Sequence, residues 1–316
     1  MSLNMKITDI DAIPGERWFP KETSFEEDMK LYWGDWGVAS EVDTLKAVLM
    51  RRPGKEIENF DYKQVRFKEP IDVQKFREQH DNLAEIYKDH GVKVYYVEEQ
   101  RNDRPNAVFV RDQVFMTPEG AIITRPAMAE RRGEERYVAE AMARLGVPII
   151  KTIGGDGIFE GANGMWVDRN TVILATGGRT NKSGYEQVEQ ELRRMGVTEI
   201  IHMQTPYGSA HIDGLLNIAS HEIAMAHVSQ VPYDVCDSLK KKGFKILEAP
   251  SQTEAKNTLG VNYVALKPGL VVQPKGNPRC KELLEENGIE VISVDFSEIL
   301  KGWGAIHCTT VFLKRG

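Results

Sequence analysis

Residues 165–202, MWVDRNTVILATGGRTNKSGYEQVEQELRRMGVTEIIH, contain one full copy of the unit that decides the fold. Two short apolar runs, at 165–167 and 171–175, are typical of neighbouring strands because apolar and β-branched residues dominate them. Residues 186–195 have the composition of a helix, and the glycine that follows is a common helix terminator. A third apolar run at 199–202 predicts another strand. This stretch is therefore predicted to fold as strand, strand, helix and strand (ββαβ).

The order of helix, glycine and strand recurs five times along the chain, in units of about 45 to 60 residues. The predicted elements are a first strand at 45–50, helices at 73–90, 127–145, 186–195, 233–242 and 278–287, strands after them at 92–97, 148–150, 199–202, 244–247 and 289–294, and further strand pairs at 108–115 with 120–124 and 214–218 with 222–228. Regular alternation of strands and helices usually indicates a doubly wound parallel sheet or a barrel. The added strand pairs favour an α/β fold of five ββαβ units that close on themselves like propeller blades.

The domain organisation follows from composition. Residues 1–40 are irregular and rich in aromatic side chains, so we interpret them as an N-terminal extension that wraps the body. No Pro- or Ser-rich linker divides the remainder, and residues 41–316 are predicted to form a single domain. The aromatic residues of the extension are Trp18, Phe19, Tyr32, Trp33 and Trp36.

The composition excludes several classes of protein. The formal net charge is −6 with no basic block, which argues against nucleic acid and anionic membranes as partners. No run of apolar residues is long enough to span a membrane, and residues 1–6 lack the apolar core of a signal peptide. The three cysteines are far apart and lack the spacing of a zinc site. We therefore expect a soluble cytoplasmic protein with reduced thiols.

One cysteine occupies a position suited to chemistry. Cys308 follows the glycine-broken loop 301–304 and precedes the run 309–312, which places its thiol where a strand begins and backbone can approach a ligand. A thiol is a nucleophile only as the thiolate, so its reactivity depends on local charge. His307 need not activate it, because neighbouring side chains on a strand point to opposite faces. The alternative is a small buried apolar residue beside a terminal strand.

Four glycine-flanked segments place ionisable residues at otherwise apolar strand ends, where a buried charge is costly unless it is paired. His211 and Asp213 are separated by one residue and would share a face on a strand. Taken alone, each segment could equally be an exposed edge, a turn or a solvated loop. The ionisable residues of these segments are Arg111, Asp112, Glu160, Arg179, His211 and Asp213.

Together with Cys308, these residues would supply a nucleophile, an acid–base histidine and three carboxylates. The carboxylates repel one another unless a cation lies among them. A metal ion is one candidate, although His-x-Asp by itself is a weak metal signal. A planar guanidinium is the other, since it suits bidentate carboxylates and its carbon can be attacked by a thiol. We predict no metal and no cofactor, and the glycine-rich residues 153–157 are not a phosphate loop because no Lys-Ser or Lys-Thr follows.

From about Leu45 to the C-terminus, the order of these motifs resembles the guanidino-modifying enzymes, namely arginine deiminases, dimethylarginine dimethylaminohydrolases and amidinotransferases. LKAVLMRRPGKE at 45–56 is similar to their first strand and turn, and PNAVFVRD at 105–112 resembles the Pro-Asn-x-x-Phe-x-Arg-Asp motif of the deiminases. The other matches are Gln79-His80-Asp81, Glu160-Gly161, Gly178-Arg179-Thr180-Asn181, His211-Ile212-Asp213 and His307-Cys308-x-Thr310.

The resemblance implies a pseudo-fivefold α/β propeller, called pentein-like, in agreement with the five units. It implies that Cys308 is the nucleophile, that His211 is the general acid and base, and that Glu160 is the partner of His211 in proton transfer. These three residues are the expected catalytic set.

The resemblance also implies a set of substrate-binding residues. Asp112 and Asp213 match the carboxylates that hold the guanidinium. Arg179 and Arg131 match positions at which arginine deiminases bind the α-carboxylate of the substrate. Two further residues of the deiminase motif are predicted to contact the substrate, Asn106 and Phe109.

Three departures from the deiminase pattern bear on the substrate. Residues 160–163 read Glu-Gly-Ala-Asn in place of Glu-Gly-Gly-Asp, and Trp303 stands where arginine deiminases carry a further arginine near the substrate. The chain also lacks their long helical insertion, so its size is nearer that of the dimethylarginine hydrolases. These changes argue against free arginine as the substrate but leave the chemistry intact.

The resemblance therefore implies hydrolysis of a guanidino substrate, arginine or a derivative, to a ureido product plus ammonia or an amine through a covalent thiouronium on Cys308. Transfer of the amidino group from arginine to an amine acceptor would use the same residues; the compact size and the deiminase motif favour hydrolysis. A protein that only binds on this fold, such as a ribosome anti-association factor, should have lost the nucleophile and its partners. A small guanidino molecule is the expected partner, and self-association is left open.

Overall fold

The computed structural model describes residues 20, 22–98 and 101–316. The strands are β1 (Leu45–Met50), β2 (Lys93–Tyr96), β3 (Val114–Thr117), β4 (Gly120–Ile123), β5 (Ile149–Thr152), β6 (Gly164–Asp168), β7 (Thr171–Thr176), β8 (Glu199–Gln204), β9 (Leu216–Ser220), β10 (Ile223–Ala226), β11 (Lys245–Glu248), β12 (Val264–Lys267), β13 (Leu270–Pro274), β14 (Glu290–Val294) and β15 (Val311–Arg315). The helices are α1 (Phe25–Tyr32), α2 (Val73–Asp89), α3 (Glu134–Leu145), α4 (Lys182–Arg194), α5 (Tyr233–Lys241), α6 (Gln252–Lys256) and α7 (Pro278–Glu286).

Within the described residues, the strands form five three-stranded sheets with one repeated plan. In four of these sheets the middle strand runs antiparallel to the strand before it in sequence and parallel to the strand that follows the helix. In the remaining sheet, β1 is the middle strand, its antiparallel partner is β15, and its parallel partner is β2. The stretch 165–202 supplies one such unit, with α4 between β7 and β8. The predicted α/β fold of five ββαβ modules is confirmed.

The glycines predicted to end the helices have the backbone conformation that this role requires. Five of them have φ between 76° and 94°, in the left-handed region that residues with a Cβ rarely adopt. Each lets the chain reverse from its helix into the parallel strand of the same sheet. They are Gly91, Gly146, Gly196, Gly243 and Gly288.

The first sheet joins the first and the last strand of the described residues. β15 pairs antiparallel with β1, with Leu49 opposite Val311, and β2 pairs parallel with β1 on its other side. This pairing holds the turn that carries Cys308 against the sheet that begins the domain. No helix among the described residues is long and apolar enough to cross a membrane.

Two stretches predicted as strand are turns, and the prediction was wrong there for the same reason. Two 3-10 helices, Pro105–Val108 and Val110–Gln113, flank Phe109 in this stretch, and β3 begins only at Val114. Ile212–Gly214 is also a 3-10 helix, so His211 and Asp213 do not share a strand face. Apolar residues are buried in these turns as they are in strands, and their pattern therefore predicts burial but not conformation.

Two helices also differ from prediction. The helix predicted at 127–145 begins at Glu134, because Gly133 has φ of 94° and interrupts it. The extension predicted to be irregular contains α1, whose N-terminus is capped by Ser24 and Glu27 side chains. Trp18 and Phe19 lie outside the described residues, and the division at residue 40 stays a prediction.

Candidate active site

The site is built from the turns that precede one outer strand of each sheet, the strand that runs antiparallel to the middle strand. In three of the sheets a 3-10 turn precedes the first strand, at Val110–Gln113, Gly161–Asn163 and Ile212–Gly214. Tight turns also precede β12 and β15, where the N–H groups of Asn262 and Thr310 donate to carbonyls three residues earlier. A turn aims side chains along directions that a continuing strand would not. The polar residues in or beside these turns are Asp112, Glu160, Asp213, Asn262 and Cys308.

These residues surround one cavity of about 600 Å³. Of the nine site residues predicted from sequence, eight line it: Asn106, Phe109, Asp112, Arg131, Arg179, His211, Asp213 and Cys308. The ninth, Glu160, has no exposed surface and contacts His211 from behind the cavity wall. The structure therefore brings together all nine residues, including pairs far apart in sequence.

His211 lies between two carboxylates. Its Nε2 is 2.6 Å from Oε2 of Glu160, and its Nδ1 is 3.6 Å from Oδ1 of Asp112. Burial by itself would lower the pKa of His211, but the charges of Asp112 and Glu160 outweigh it and hold the pKa above its ordinary value. Burial would likewise raise the pKa of Glu160, yet its hydrogen bond with His211 keeps that pKa low. The arrangement favours an imidazolium, which can act as a general acid.

Cys308 is 7% exposed, and two side chains contact its sulfur. Its Sγ lies 3.3 Å from Nδ2 of Asn262 and 3.5 Å from Oδ2 of Asp213. The amide of Asn262 also fixes the backbone, because its Oδ1 accepts from the N–H of His307 at 3.0 Å. Asn262 is thus the residue that sets the position of the sulfur.

The charges around Cys308 favour a neutral thiol while the cavity holds no cation. Burial raises the pKa of the thiol well above its ordinary value, and the carboxylates of Asp213 and Asp112 raise it further. A cation placed between these carboxylates would cancel their effect on the sulfur. The site is therefore electrostatically suited to form thiolate when a positively charged ligand binds.

Arg131 has contacts that differ from its predicted role. Its Nε and Nη2 lie 3.0 and 2.8 Å from Oε2 of Glu134, and its Nη1 pairs with Oδ2 of Asp112. Its Nη2 also donates to the carbonyl of Phe109 at 3.0 Å, and the residue is 5% exposed. These contacts suit an arginine that orients Asp112, whose Oδ1 has no hydrogen-bond partner, more than one that binds a substrate carboxylate.

Arg179 is better placed to meet the tail of a substrate. Its side chain is 23% exposed at the cavity, and its closest charged contact, Glu160, is 3.4 Å from Nη1. Phe109 forms part of the wall and packs against Gly304, where a Cβ would lie 2.3 Å from Cε1 of the ring. Glycine is required there because any side chain would collide with Phe109.

Backbone strain is concentrated at the rim. Arg66, Leu259 and Trp303 are the non-glycine residues with left-handed φ in the described part of the chain, and all three line the cavity. Lys68 connects their loops, because its Nζ lies 4.1 Å from the centroid of the Trp303 ring and 2.9 Å from the carbonyl of Asn257. Such conformations persist where the surrounding structure holds them, which is common at ligand-binding sites.

Asp112, Glu160 and His211 are also the residues that could hold a metal ion, since one ligand atom from each lies within 4.8 Å of the others. Their neighbours are cationic, however. Asp112 pairs with Arg131, and Glu160 contacts Arg179. The pKa of His211 is also raised, and an imidazolium has no free nitrogen lone pair for a metal, so the set is better suited to proton transfer than to metal binding.

Sequence reasoning missed two residues of this site and misread a third. Asn262 lies between apolar neighbours just ahead of β12, and a lone amide in an apolar run was the available signal. Glu41 gave no signal, because it lies in an irregular segment. His307 was expected to point away from Cys308 on a strand; it lies in a turn instead, and its ring contacts Asp213 and Glu41.

The chain is similar to known proteins over most of its length. The family described as N,N dimethylarginine dimethylhydrolase, eukaryotic, matches residues 48–315. The N(G),N(G)-dimethylarginine dimethylaminohydrolase of Streptomyces coelicolor is 27% identical over 276 residues, which is 85% of this chain and 97% of that protein.

Two solved structures share the fold. The dimethylarginine dimethylaminohydrolase of Pseudomonas aeruginosa, a cysteine-to-serine mutant complexed with citrulline, has a TM-score of 0.71 at 24% identity over 85% of this chain and 99% of that one. An amidinotransferase from Microseira wollei, of the saxitoxin biosynthetic pathway, has a TM-score of 0.71 at 16% identity over 89% of this chain and 97% of that one. At these identities the two structures establish the architecture alone.

The five-sheet fold and its matches define a guanidino-modifying enzyme of the pentein superfamily. Because the family match spans most of the sequence, the chain belongs to the N,N-dimethylarginine dimethylhydrolase family.

Proposed function

We propose that this enzyme hydrolyses a guanidino substrate, arginine or an arginine derivative, through a covalent thiouronium on Cys308. The observation that carries the proposal is that the Cys308 sulfur, the His211 ring and the carboxylates of Asp112 and Asp213 line one cavity. A thiol and an acid–base histidine around paired carboxylates suit attack on a bound planar cation.

The first half of the reaction forms the thiouronium. The guanidinium binds between Asp112 and Asp213, and its charge favours ionisation of the Cys308 thiol, whose proton passes to solvent. The thiolate attacks the guanidinium carbon, and a C–S bond forms. His211, held as imidazolium by Glu160, donates its proton to the departing nitrogen as the C–N bond breaks, and ammonia or an amine leaves.

The second half returns the enzyme to its starting state. His211, now neutral, takes a proton from a water molecule that attacks the thiouronium carbon. The C–S bond then breaks as the carbonyl of the ureido product forms, and the remaining hydroxyl proton returns through solvent to the departing thiolate, which restores the thiol. Because Glu160 is buried and stays ionised, it stabilises the imidazolium of His211 that has formed again and is needed for the next cycle.

Amidino transfer is the second candidate, supported by the shared fold of the amidinotransferase at a TM-score of 0.71. An amine would take the place of water in the second half. The name of the Streptomyces relative supports hydrolysis of a methylated arginine instead.

A substrate panel tests the proposal. The protein is incubated with arginine, methylated arginines, agmatine and guanidinoacetate, each with and without glycine or lysine. A ureido product with ammonia or methylamine supports the hydrolase, whereas a new guanidino compound supports the transferase.

Cys308→Ser should lose nearly all turnover while its circular dichroism is retained, and Cys236→Ser is the matched control. Substantial turnover by the Cys308 variant would overturn the role of the nucleophile.

A further inference from the structure

His307 precedes Cys308 in sequence, but both of its ring nitrogens contact carboxylates. Nδ1 lies 2.9 Å from Oδ2 of Asp213, and Nε2 lies 3.1 Å from Oε2 of Glu41. The histidine is 1% exposed, and the two acids are 1% and 2% exposed. No water is needed to satisfy the ring, because each nitrogen already has a protein partner.

The two contacts determine the protonation state of the ring. An ionised carboxylate only accepts hydrogen bonds, and a neutral imidazole has only one N–H to donate. Contacts with two carboxylates therefore require the imidazolium. Burial alone would lower the pKa of His307, but its hydrogen bonds with Asp213 and Glu41 outweigh burial and raise it.

The charges continue beyond Glu41 in alternating sign. Nη2 of Arg111, a residue that is 2% exposed, lies 3.4 Å from Oε1 of Glu41 and 2.9 Å from the carbonyl of Gly164. At the other end, Oδ2 of Asp213 is 3.5 Å from the sulfur of Cys308. A buried row of Arg111, Glu41, His307 and Asp213 thus ends at the thiol, and Arg315 is the other cation that acts on Glu41.

We propose that His307 is a positioning residue that keeps Asp213 ionised, fixes one of its oxygens beside Cys308 and offsets its charge so that the thiolate can form. The inference rests on the proposed function in one respect, namely that Cys308 is the nucleophile. With Oδ2 of Asp213 engaged by His307, its other oxygen is left for the substrate cation. Without the imidazolium, the nascent thiolate would face an uncompensated carboxylate at 3.5 Å.

His307→Asn tests the proposal, because an asparagine amide can still donate to Asp213 but carries no charge. The rate of Cys308 alkylation by iodoacetamide is measured against pH without substrate, by mapping of the Cys308 peptide. Loss of the imidazolium charge, which lies one carboxylate away from the sulfur, should raise the midpoint of the alkylation rate against pH by about one to two pH units. We also expect kcat/KM near neutral pH to fall about 10- to 100-fold, because at a fixed pH each unit lowers the thiolate fraction tenfold.

Two references accompany the variant. Cys236, which is half-buried, reports in the same digest and should keep its profile. His221→Asn is the matched control, since His221 lies on an exposed turn and pairs only weakly with Asp43 at 3.4 Å. Glu41→Gln is the second variant if His307→Asn does not fold; it keeps the ring, weakens the imidazolium and should shift the midpoint in the same direction by less.

The outcomes separate a positioning role from a structural one. An unchanged alkylation midpoint together with a lower melting temperature would mean that His307 only supports the fold, and would overturn the proposal. Failure of the proposed function gives a different result, because Cys308→Ser would then retain turnover whatever the midpoint of the His307 variant.

Discussion

Arg179 and Arg131 both line the cavity, but their contacts give them different capacities. Every nitrogen of the Arg131 guanidinium contacts Glu134, Asp112 or a backbone carbonyl, whereas Arg179 makes only contacts of 3.4 to 3.5 Å with Glu160. A guanidinium with unused donors can bind a carboxylate in a bidentate manner. At the scale of single residues, Arg179 is therefore the stronger candidate to anchor an α-carboxylate.

Arg179→Ala should weaken the binding of arginine-type substrates and spare agmatine, which has no carboxylate. Loss of a charged hydrogen bond costs about 1.5–3 kcal/mol, so KM for the carboxylate substrate should rise roughly 10- to 100-fold. Steady-state kinetics with both compounds measure the ratio, with Arg169→Ala on the surface as control. An equal loss with agmatine would count against the anchor role.

Glu160→Gln should change the pH dependence of turnover. The pKa of His211 is raised because the carboxylates outweigh burial, so removal of one carboxylate must lower it. On the alkaline side of the pH profile, kcat falls as the His211 imidazolium loses its proton, and this fall should move to lower pH by about one pH unit. We also expect kcat itself to fall about 100-fold. Profiles of kcat from pH 5 to 10 test this, with the exposed Glu186→Gln as control. An alkaline fall that stays in place would show that Glu160 does not act through His211.

At the scale of elements, the turns before the first strands matter more than the strands themselves. Each sheet contributes a regular ββαβ frame, and the site residues lie at the point where a turn enters that frame. The turn at 302–304 is the most constrained of them, because Gly302 and Gly304 both pack against the Phe109 ring and Trp303 has φ of 65°. The loop before Cys308 and the motif at 105–112 are thereby fitted to each other.

Gly304→Ala should disturb the site more than the fold. Its Cβ would lie 2.3 and 2.5 Å from Cε1 and Cδ1 of Phe109, so the ring or the loop must move. Overpacking of this kind costs about 1–3 kcal/mol, and we expect a large loss of kcat/KM as Cys308 shifts with its loop. Thermal unfolding and kinetics are compared with Gly154→Ala, where a Cβ meets nothing within 4 Å. Wild-type kinetics in Gly304→Ala would contradict the fitted loop.

At the scale of the whole molecule, the fold is completed by its last strand. β15 pairs with β1 and carries Val311, Phe312 and Leu313, none of them more than 1% exposed. Burial of one such side chain contributes about 1.5–3 kcal/mol, so the three together approach the total stability of a typical domain. The same strand holds the turn of Cys308 in place, which couples the integrity of the site to that of the ring of sheets.

Removal of residues 311–316 should therefore abolish cooperative folding along with activity. Removal of Gly316 alone deletes one backbone hydrogen bond, to the carbonyl of Thr44, and should cost only about 1 kcal/mol. Thermal unfolding followed by circular dichroism distinguishes the two truncations. A sharp transition near the wild-type melting temperature in the longer truncation would show that β15 is dispensable.

The amino-acid sequence by itself determined the five ββαβ units, because hydrophobic runs, helix compositions and terminal glycines are local signals. It also indicated the chemistry, since Cys308, His211 and the carboxylates stood out as polar residues among apolar neighbours. It did not give the turns at Val110–Gln113 and Ile212–Gly214, because burial looks the same in a turn and in a strand.

Only the tertiary structure decided which polar groups meet. The contacts of Arg131 with Asp112, of Asn262 with Cys308, and of Glu41 with His307 join residues whose spacing along the chain carries no signal. These contacts set the charge on each group, because the pKa of a buried side chain depends on the neighbours that the fold places beside it. The candidate reactive groups could thus be named from the sequence, while their protonation and orientation follow from the packing of the five sheets around one cavity.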